Sequence, residues 1–141
     1  MKRLFTFLFT LVVTASLWAE DFSVGGIYYN YLDGNNVEVT YRGDDYDSYY
    51  NEYAGEVIIP STVTYYGTTY RVTSIGEWAF AYCDSLTSIT IPNSVTSIVW
   101  FAFRGCSSLT SVTIPESGIH RKHSLQCWLR CWELSCFDNQ Q

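Results

Sequence analysis

The sequence predicts an α/β solenoid, a chain coiled into strand and short-helix units that stack along one axis. Three observations predict it. A block of 23 residues occurs twice in succession, its apolar positions return in register, and each block closes on strand-like alternation ended by a proline.

The two blocks are Val72 to Ser94, "VTSIGEWAFAYCDSLTSITIPNS", and Val95 to Ser117, "VTSIVWFAFRGCSSLTSVTIPES", identical at 15 of 23 positions. Val72, Ile75, Ala79, Phe80, Cys83, Leu86, Ile89 and Ile91 return as Val95, Ile98, Ala102, Phe103, Cys106, Leu109, Val112 and Ile114. Self-similarity at such a period is the mark of a repeat architecture, in which one coil cannot bury its apolar side until a neighbour covers it. Within a block, Leu86, Ile89 and Ile91 end in the alternation of a half-buried strand, whereas Ala79, Phe80 and Cys83 fall near the spacing of a helical turn. Pro92 stops strand pairing because it has no amide hydrogen and constrains the residue before it. Each unit is therefore read as strand, turn, short helical segment and return.

Ahead of the blocks, "VIIPSTVT" at residues 57–64 echoes "ITIPNSVT" at residues 89–96, but at an offset of 32 rather than 23. This is read as a partial unit, residues 57–71, expanded by a hairpin turning at Gly67. Before it, "FSVGGIYYNYL" and "VEVTY" flank Asp33-Gly34-Asn35-Asn36, a turn signal between two β-prone runs. Residues 22–41 are read as a β-hairpin capping the first coil, within an N-terminal segment of residues 20–56.

The opening 21 residues, "MKRLFTFLFTLVVTASLWAED", follow the plan of a secretory signal peptide: two cations, an apolar run and a small residue before the acidic pair. Leu4 to Trp18 at 1.5 Å per residue falls short of the ~30 Å hydrocarbon core, so cleavage after Ala19 is expected rather than a membrane span. The expected location is outside the cell or on its surface. Residues 20–115 carry eleven acidic side chains against Arg42, Arg71 and Arg104, which argues against nucleic acid because phosphate binding needs clustered cations. Eleven of the twelve tyrosines lie between Tyr28 and Tyr70, and such amphipathic rings suit exposed strands and contact surfaces.

The Leu-x-x-Ile-x-Ile and Ile-Pro pattern, the Ala-Phe-x-x-Cys-x-x-Leu core, the 23-residue period and the lead-in "GIYYNYL…VEVTY…VIIPSTVTYYGTTYRVTSIG" resemble the leucine-rich repeats of BspA-like bacterial surface proteins. The resemblance covers roughly residues 20 to 115. It implies a short right-handed, horseshoe-like leucine-rich-repeat solenoid of α/β class, exported by a Bacteroidetes-type bacterium, that serves adhesion or protein binding without catalysis. Val99 departs from it, standing where the other unit has Gly76; a positive φ at Gly76 would strain valine at the equivalent place.

Cys83 and Cys106 share one repeat position between inward residues and read as buried thiols filling the core. Export leaves a disulfide between stacked coils as the alternative. Neither repeat holds a histidine to activate a catalytic thiol. Asp44, Asp45 and Asp47 bring oxygen ligands together but lack the glycine and terminal glutamate of a calcium loop at the required offsets, so a solvated loop is expected and neither metal nor cofactor.

Specificity in a repeat protein sits where units differ, because matched positions are committed to packing. Large aromatic rings and arginine are favoured contact residues, so Glu77, Trp78, Tyr82, Trp100, Phe101 and Arg104 form the candidate edge for a protein or glycan partner. The competing role for Trp78 and Phe101 is simple cover for the core. Ser88, Thr90, Ser111 and Thr113 should point outward from the strands as a polar surface.

From Gly118 onward the repeat stops and composition shifts. Residues 118–141 hold both histidines and three of the five cysteines, and no threonine, tyrosine or proline. Zinc held by His120, His123, Cys127 and Cys131 is one reading, although one continuous helix would set the first and last ~16 Å apart. A capping amphipathic helix through Leu125, Trp128, Leu129 and Trp132 is the second. The third is a shifted reading frame, since codons for "GIHRKHSLQCW" moved by one nucleotide can spell a Val-Ser-Ile-Gly-Asn-Thr-Ala-Phe-like string. In that case the last coil lacks a cap, its exposed edge invites self-association, and the chain is a fragment of a longer array without a function of its own.

Overall fold

The computed structural model describes residues 20–43 and 51–114. The leader of residues 1–19, the aspartates at 44, 45 and 47, and the tail of residues 118–141 lie outside the described residues.

Among the described residues, nine strands fall into two sheets: β1 (Phe22–Val24), β2 (Ile27–Tyr31), β3 (Asn36–Thr40), β4 (Gly55–Ile58), β5 (Thr62–Tyr65), β6 (Thr68–Ile75), β7 (Leu86–Thr90), β8 (Ser97–Ile98) and β9 (Ser111–Thr113). One sheet runs β1-β2-β3-β6-β5 with β8 also on β6, and the other runs β4-β7-β9. A coil passes from a strand of the first sheet across residues 76–85 to a strand of the second, and returns through a turn at Pro92.

Stacking follows the 23-residue period. Ile89 pairs with Val112 and Thr90 with Thr113 in parallel between β7 and β9, while Ile75 pairs with Ile98 between β6 and β8. Because the register equals the repeat, like side chains meet. Phe80 lies on Phe103 with centroids 5.0 Å apart and planes within 2°, an offset arrangement that contributes about 0.5–1.5 kcal/mol beyond the buried area. Threonines tie the coils where the chain enters β8 and β9. The Thr96 amide and hydroxyl both donate to Thr73 O at 2.9 and 3.4 Å, and Thr110 does the same to Thr87 O at 3.0 and 3.2 Å.

The leading coil is built from sequence that carries little of the repeat. Its second-sheet strand is β4, where Val57 faces Ile89. The nine residues by which its offset exceeds the period form the antiparallel β5–β6 hairpin, turning at Tyr66 and Gly67, with φ of 45° and 80°. Its first-sheet strand is β3. This strand pairs antiparallel with β2 and also in parallel with β6, placing Val37 beside Val72 and Val39 beside Ile75. Tyr53 extends the phenylalanine stack into this coil: its ring lies 4.6 Å from Phe80 and its hydroxyl donates to Thr40 O at 2.7 Å.

The expected helical segment is not a helix, and among the described residues the class is strands joined by turns rather than α/β. Residues 76–83 form a run of tight turns, in which the amides of Ala79, Ala81 and Cys83 donate to the carbonyls of Gly76, Trp78 and Phe80 at 3.4, 2.9 and 3.3 Å. The alternate amides reach the next coil, Phe80 N to Ala102 O at 2.7 Å and Tyr82 N to Arg104 O at 2.6 Å. A helix would need those amides for its own carbonyls four residues back, so coil-to-coil bonding and helix formation exclude each other. An apolar spacing of three to four serves either backbone, which is why the pattern misled.

The expectation for Gly76 is also corrected. Its φ is not positive; a Cβ there would sit 3.0 Å from Val39 O and 3.1 Å from the Glu38 carboxyl carbon. Close approach of the leading coil requires the glycine, so Val99 in the following unit is not strained by its backbone.

Candidate functional site

The turns between the two sheets sort side chains into two sets. Ala79, Phe80, Cys83 and their equivalents Ala102, Phe103, Cys106 are buried. Ala81 is buried with them, whereas Trp78, Tyr82 and Phe101 are half-buried or exposed and have φ of 60°, 56° and 59°. Trp78 and Tyr82 are the third residues of their turns, where a type II turn places a positive φ. A left-handed backbone is costly for rings of this size, so the coil-to-coil bonds must hold it.

All six residues singled out from the sequence meet on this edge. Trp78 stacks on Phe101 at 4.6 Å with planes 22° apart, and Trp100 lies 6.5 Å from Phe101 at 50°. The Arg104 guanidinium carbon stands 5.3 Å from the Trp78 ring, 5.5 Å from Phe101 and 6.0 Å from Tyr82. The Glu77 carboxylate accepts from the Trp78 indole N–H at 3.1 Å. Trp78, Tyr82 and Arg104 are half-buried, whereas Trp100 and Phe101 keep 48% and 41% of their surface exposed. Trp78 therefore supports the cluster and Trp100 with Phe101 present its outer face.

Differences between the units compensate across the coil boundary. Where the first unit has Tyr82 the second has Gly105, and a Cβ on Gly105 would come within 2.7 Å of Tyr82 Cδ1. The tyrosine ring lies over the space that the glycine leaves. Arg104 then reaches back over the first unit's rings from a position where that unit has only Ala81.

Both repeat cysteines are free and buried. The Cys106 thiol donates to Phe80 O at 3.0 Å, and burial pushes its pKa up to about 12; burial likewise raises Cys83 to about 11. Both are protonated at physiological pH, and a protonated thiol is a poor nucleophile. Among the described residues no group of three His, Cys, Asp or Glu side chains could hold a metal ion, and no helix is long and apolar enough to cross a membrane.

A second aromatic cluster escaped residue-by-residue reading. Phe22 is its hub, 4.5 Å from Tyr65, 5.0 Å from Tyr31, 5.3 Å from Tyr29 and 5.7 Å from Tyr70. Through it β1 and β5, at opposite ends of the first sheet's strand order, come together. The surplus of tyrosine before residue 71 was its only sequence signal. Ser88 and Thr90 are half-buried on the outer side of the second sheet, and Ser111 and Thr113 are exposed there.

The family model described as a BspA type leucine-rich repeat region of six copies matches residues 45–138. Among solved structures, a leucine-rich repeat protein from Bacteroides ovatus is 38% identical over 70% of this chain and 24% of its own, with a TM-score of 0.59. One from Bacteroides capillosus is 33% identical over 69% of this chain and 67% of its own, with a TM-score of 0.55. A leucine-rich cell surface protein from Faecalibacterium prausnitzii is 32% identical over 68% of this chain and 24% of its own, with a TM-score of 0.52. The chain thus matches about a quarter of the length of the B. ovatus and F. prausnitzii proteins. No curated protein matches it.

Proposed function

The chain belongs to the BspA-type leucine-rich repeat family, and from that premise we propose that it is an exported, secreted or surface-held module that binds a protein or glycan through the edge built by Trp78, Tyr82, Trp100, Phe101 and Arg104. In this reading the N-terminal residues direct export and the β1–β2 strands close the N-terminal end of a short right-handed, horseshoe-like array. Self-association through the β9 edge of the second sheet is part of the same proposal. The module does no chemistry; it holds a partner for adhesion.

One observation carries the reading: two large rings stay 48% and 41% exposed on a cluster whose other members are packed beneath them. Exposed aromatic rings backed by a rigid scaffold lose little entropy on contact and supply much of the energy at recognition surfaces. The family's non-catalytic character and the protonated state of both described thiols support the absence of catalysis.

The test is binding of the whole chain to immobilised matrix glycoproteins and to a glycan panel, compared with Trp100→Ala. Trp100 is half-exposed, so the variant should keep its unfolding midpoint while losing at least tenfold in affinity. Undiminished binding by the variant would remove this edge from the account.

A further inference from the structure

Apart from the edge of the coils, we propose a second contact surface on the file of rings from Tyr66 to Tyr31, one that takes an extended, arginine-bearing segment of a partner protein.

The turn between β5 and β6 supplies the first observation. Tyr65 pairs with Thr68, so Tyr66 and Gly67 form a two-residue loop, with φ of 45° and 80°. Positive φ at both places defines a type I′ turn, which asparagine or glycine fills readily and a bulky side chain does not. Tyr66 contributes little to the fold from this position: its ring meets Tyr65 edge-on at 4.4 Å and is otherwise 90% exposed. A large ring held in solvent on a strained backbone points to a contact outside the chain rather than within it.

The ring belongs to a longer surface. Tyr65 stacks on Phe22 at 4.5 Å, and Phe22 lies 5.0 Å from Tyr31, which is 43% exposed. Tyr66, Tyr65, Phe22 and Tyr31 thus make a continuous file across the junction of β5 with β1, and Tyr70 lies beside Tyr31 at 5.2 Å. Alternation along β6 sets Tyr70 on the side of the buried Val72 and the exposed Arg71 on the other side.

Charge selects the occupant. Residues 20–71 hold nine Asp or Glu and two Arg, an acidic excess larger than the chain's formal net charge of −6. Two of these acids stand next to the file: Asp21 accepts from the Tyr31 amide at 2.6 Å, and Asp33, two residues beyond Tyr31, accepts from the Asn36 side-chain amide at 3.2 Å. Both donors are neutral, so each carboxylate keeps its charge. Such a surface repels a sulfated glycan and attracts a cation, which the negative faces of the rings also favour. Arginine fits better than lysine, because a guanidinium lies flat on a ring while donating in its own plane to a carboxylate. Rings set in a line suit an extended segment, whose alternate side chains fall on one side.

The experiment measures binding of the whole chain to a short fluorescein-labelled peptide in which arginine alternates with serine, against peptides with glutamine or glutamate in place of arginine, by anisotropy at low and high salt. The arginine peptide should bind at least tenfold more tightly than the glutamine peptide, the glutamate peptide should not bind, and high salt should weaken the arginine complex. Tyr66→Asn should lose at least fivefold in affinity while raising the unfolding midpoint, since asparagine suits the turn; a structural role for the ring predicts a lower midpoint. Asp21→Asn combined with Asp33→Asn keeps both acceptors and should bring the arginine and glutamine peptides to within about twofold of each other. Trp100→Ala should leave this binding unchanged, which separates the surface from the edge of the coils. Equal binding of the arginine and glutamine peptides, undiminished binding by Tyr66→Asn, a Tyr66→Asn midpoint below that of the natural chain, or loss of binding in Trp100→Ala would each overturn the proposal, and none of them would decide whether the edge of the coils binds its own partner.

Discussion

Gly105 is the residue on which the compensation between the two units depends, and replacing it with alanine separates two costs. Its φ of 73° is left-handed, which costs a residue with a Cβ about 1–2 kcal/mol. The added Cβ also meets Tyr82 Cδ1 at 2.7 Å, closer than Cβ contacts occur in proteins, and Cε1 at a tight 3.1 Å, and overpacking of this kind costs about 1–3 kcal/mol. Gly105→Ala should therefore lose about 2–5 kcal/mol. Gly67 supplies the control, because its φ is 80° and a Cβ there would meet nothing within 4 Å, so Gly67→Ala should lose only the backbone part, about 1–2 kcal/mol. Adding Tyr82→Ala to Gly105→Ala removes the clash, and the double variant should be at least 1 kcal/mol more stable than the sum of the single losses. Urea unfolding with an unchanged slope gives each number. Equal losses for Gly105→Ala and Gly67→Ala, or strict additivity with Tyr82→Ala, would refute the claim that the tyrosine ring occupies the glycine's space.

Phe80 is fully buried between Tyr53 and Phe103, while Phe103 retains 8% exposure; Phe80→Ala should cost about 3–5 kcal/mol and Phe103→Ala less, measured by thermal unfolding. Asn51 has a φ of 57° and its side-chain oxygen accepts from the exposed Ser85 N at 2.8 Å, so Asn51→Ala should cost about 1–2 kcal/mol, chiefly because alanine tolerates the left-handed backbone less well than asparagine while the Ser85 amide turns to water, again read by urea midpoint. The thiols of Cys83 and Cys106 should resist iodoacetamide at pH 8 in the folded chain and react fully in urea. Their folded pKa values are raised from 9.0 to about 11 and about 12, so their contribution to stability is complete below pH 9 and is lost as the unfolded state gives up protons that the folded state keeps. Stability should fall above pH 9 by up to about 1.4 kcal/mol per pH unit per thiol, and the fall should shrink in a Cys83→Ala, Cys106→Ala double variant.

Where the sequence repeated, it was legible down to single contacts. Phe80 over Phe103 and Ile89 beside Val112 follow from the 23-residue register alone, and the six residues of the candidate edge, which the structure brings together, stand out because they differ between the units while their neighbours match. The backbone of residues 76–83 was not legible, since apolar spacing reports which side chains point inward and not which carbonyl each amide prefers. The leading coil was partly hidden for a related reason. β3 does not carry the repeat's residue pattern, and its parallel pairing with β6 joins residues 35 or 36 apart, Val37 with Val72 and Glu38 with Ser74, rather than 23. Tyr53 and the Phe22 cluster were invisible because contacts between unlike residues leave no periodic trace. Gly76 shows the same limit: that glycine is needed was readable, whereas the cause, the nearness of Val39 and Glu38, belongs to the tertiary structure.

Aromatic NOEs in the isotope-labelled chain test the stacking of coils most directly. Phe80 and Phe103, 5.0 Å apart by centroid and parallel within 2°, should give a strong ring-to-ring cross-peak, accompanied by methyl cross-peaks between Ile89 and Val112 and between Ile75 and Ile98. Absence of the Phe80–Phe103 peak, or contacts of Phe80 with residues out of step with the 23-residue register, would contradict the account.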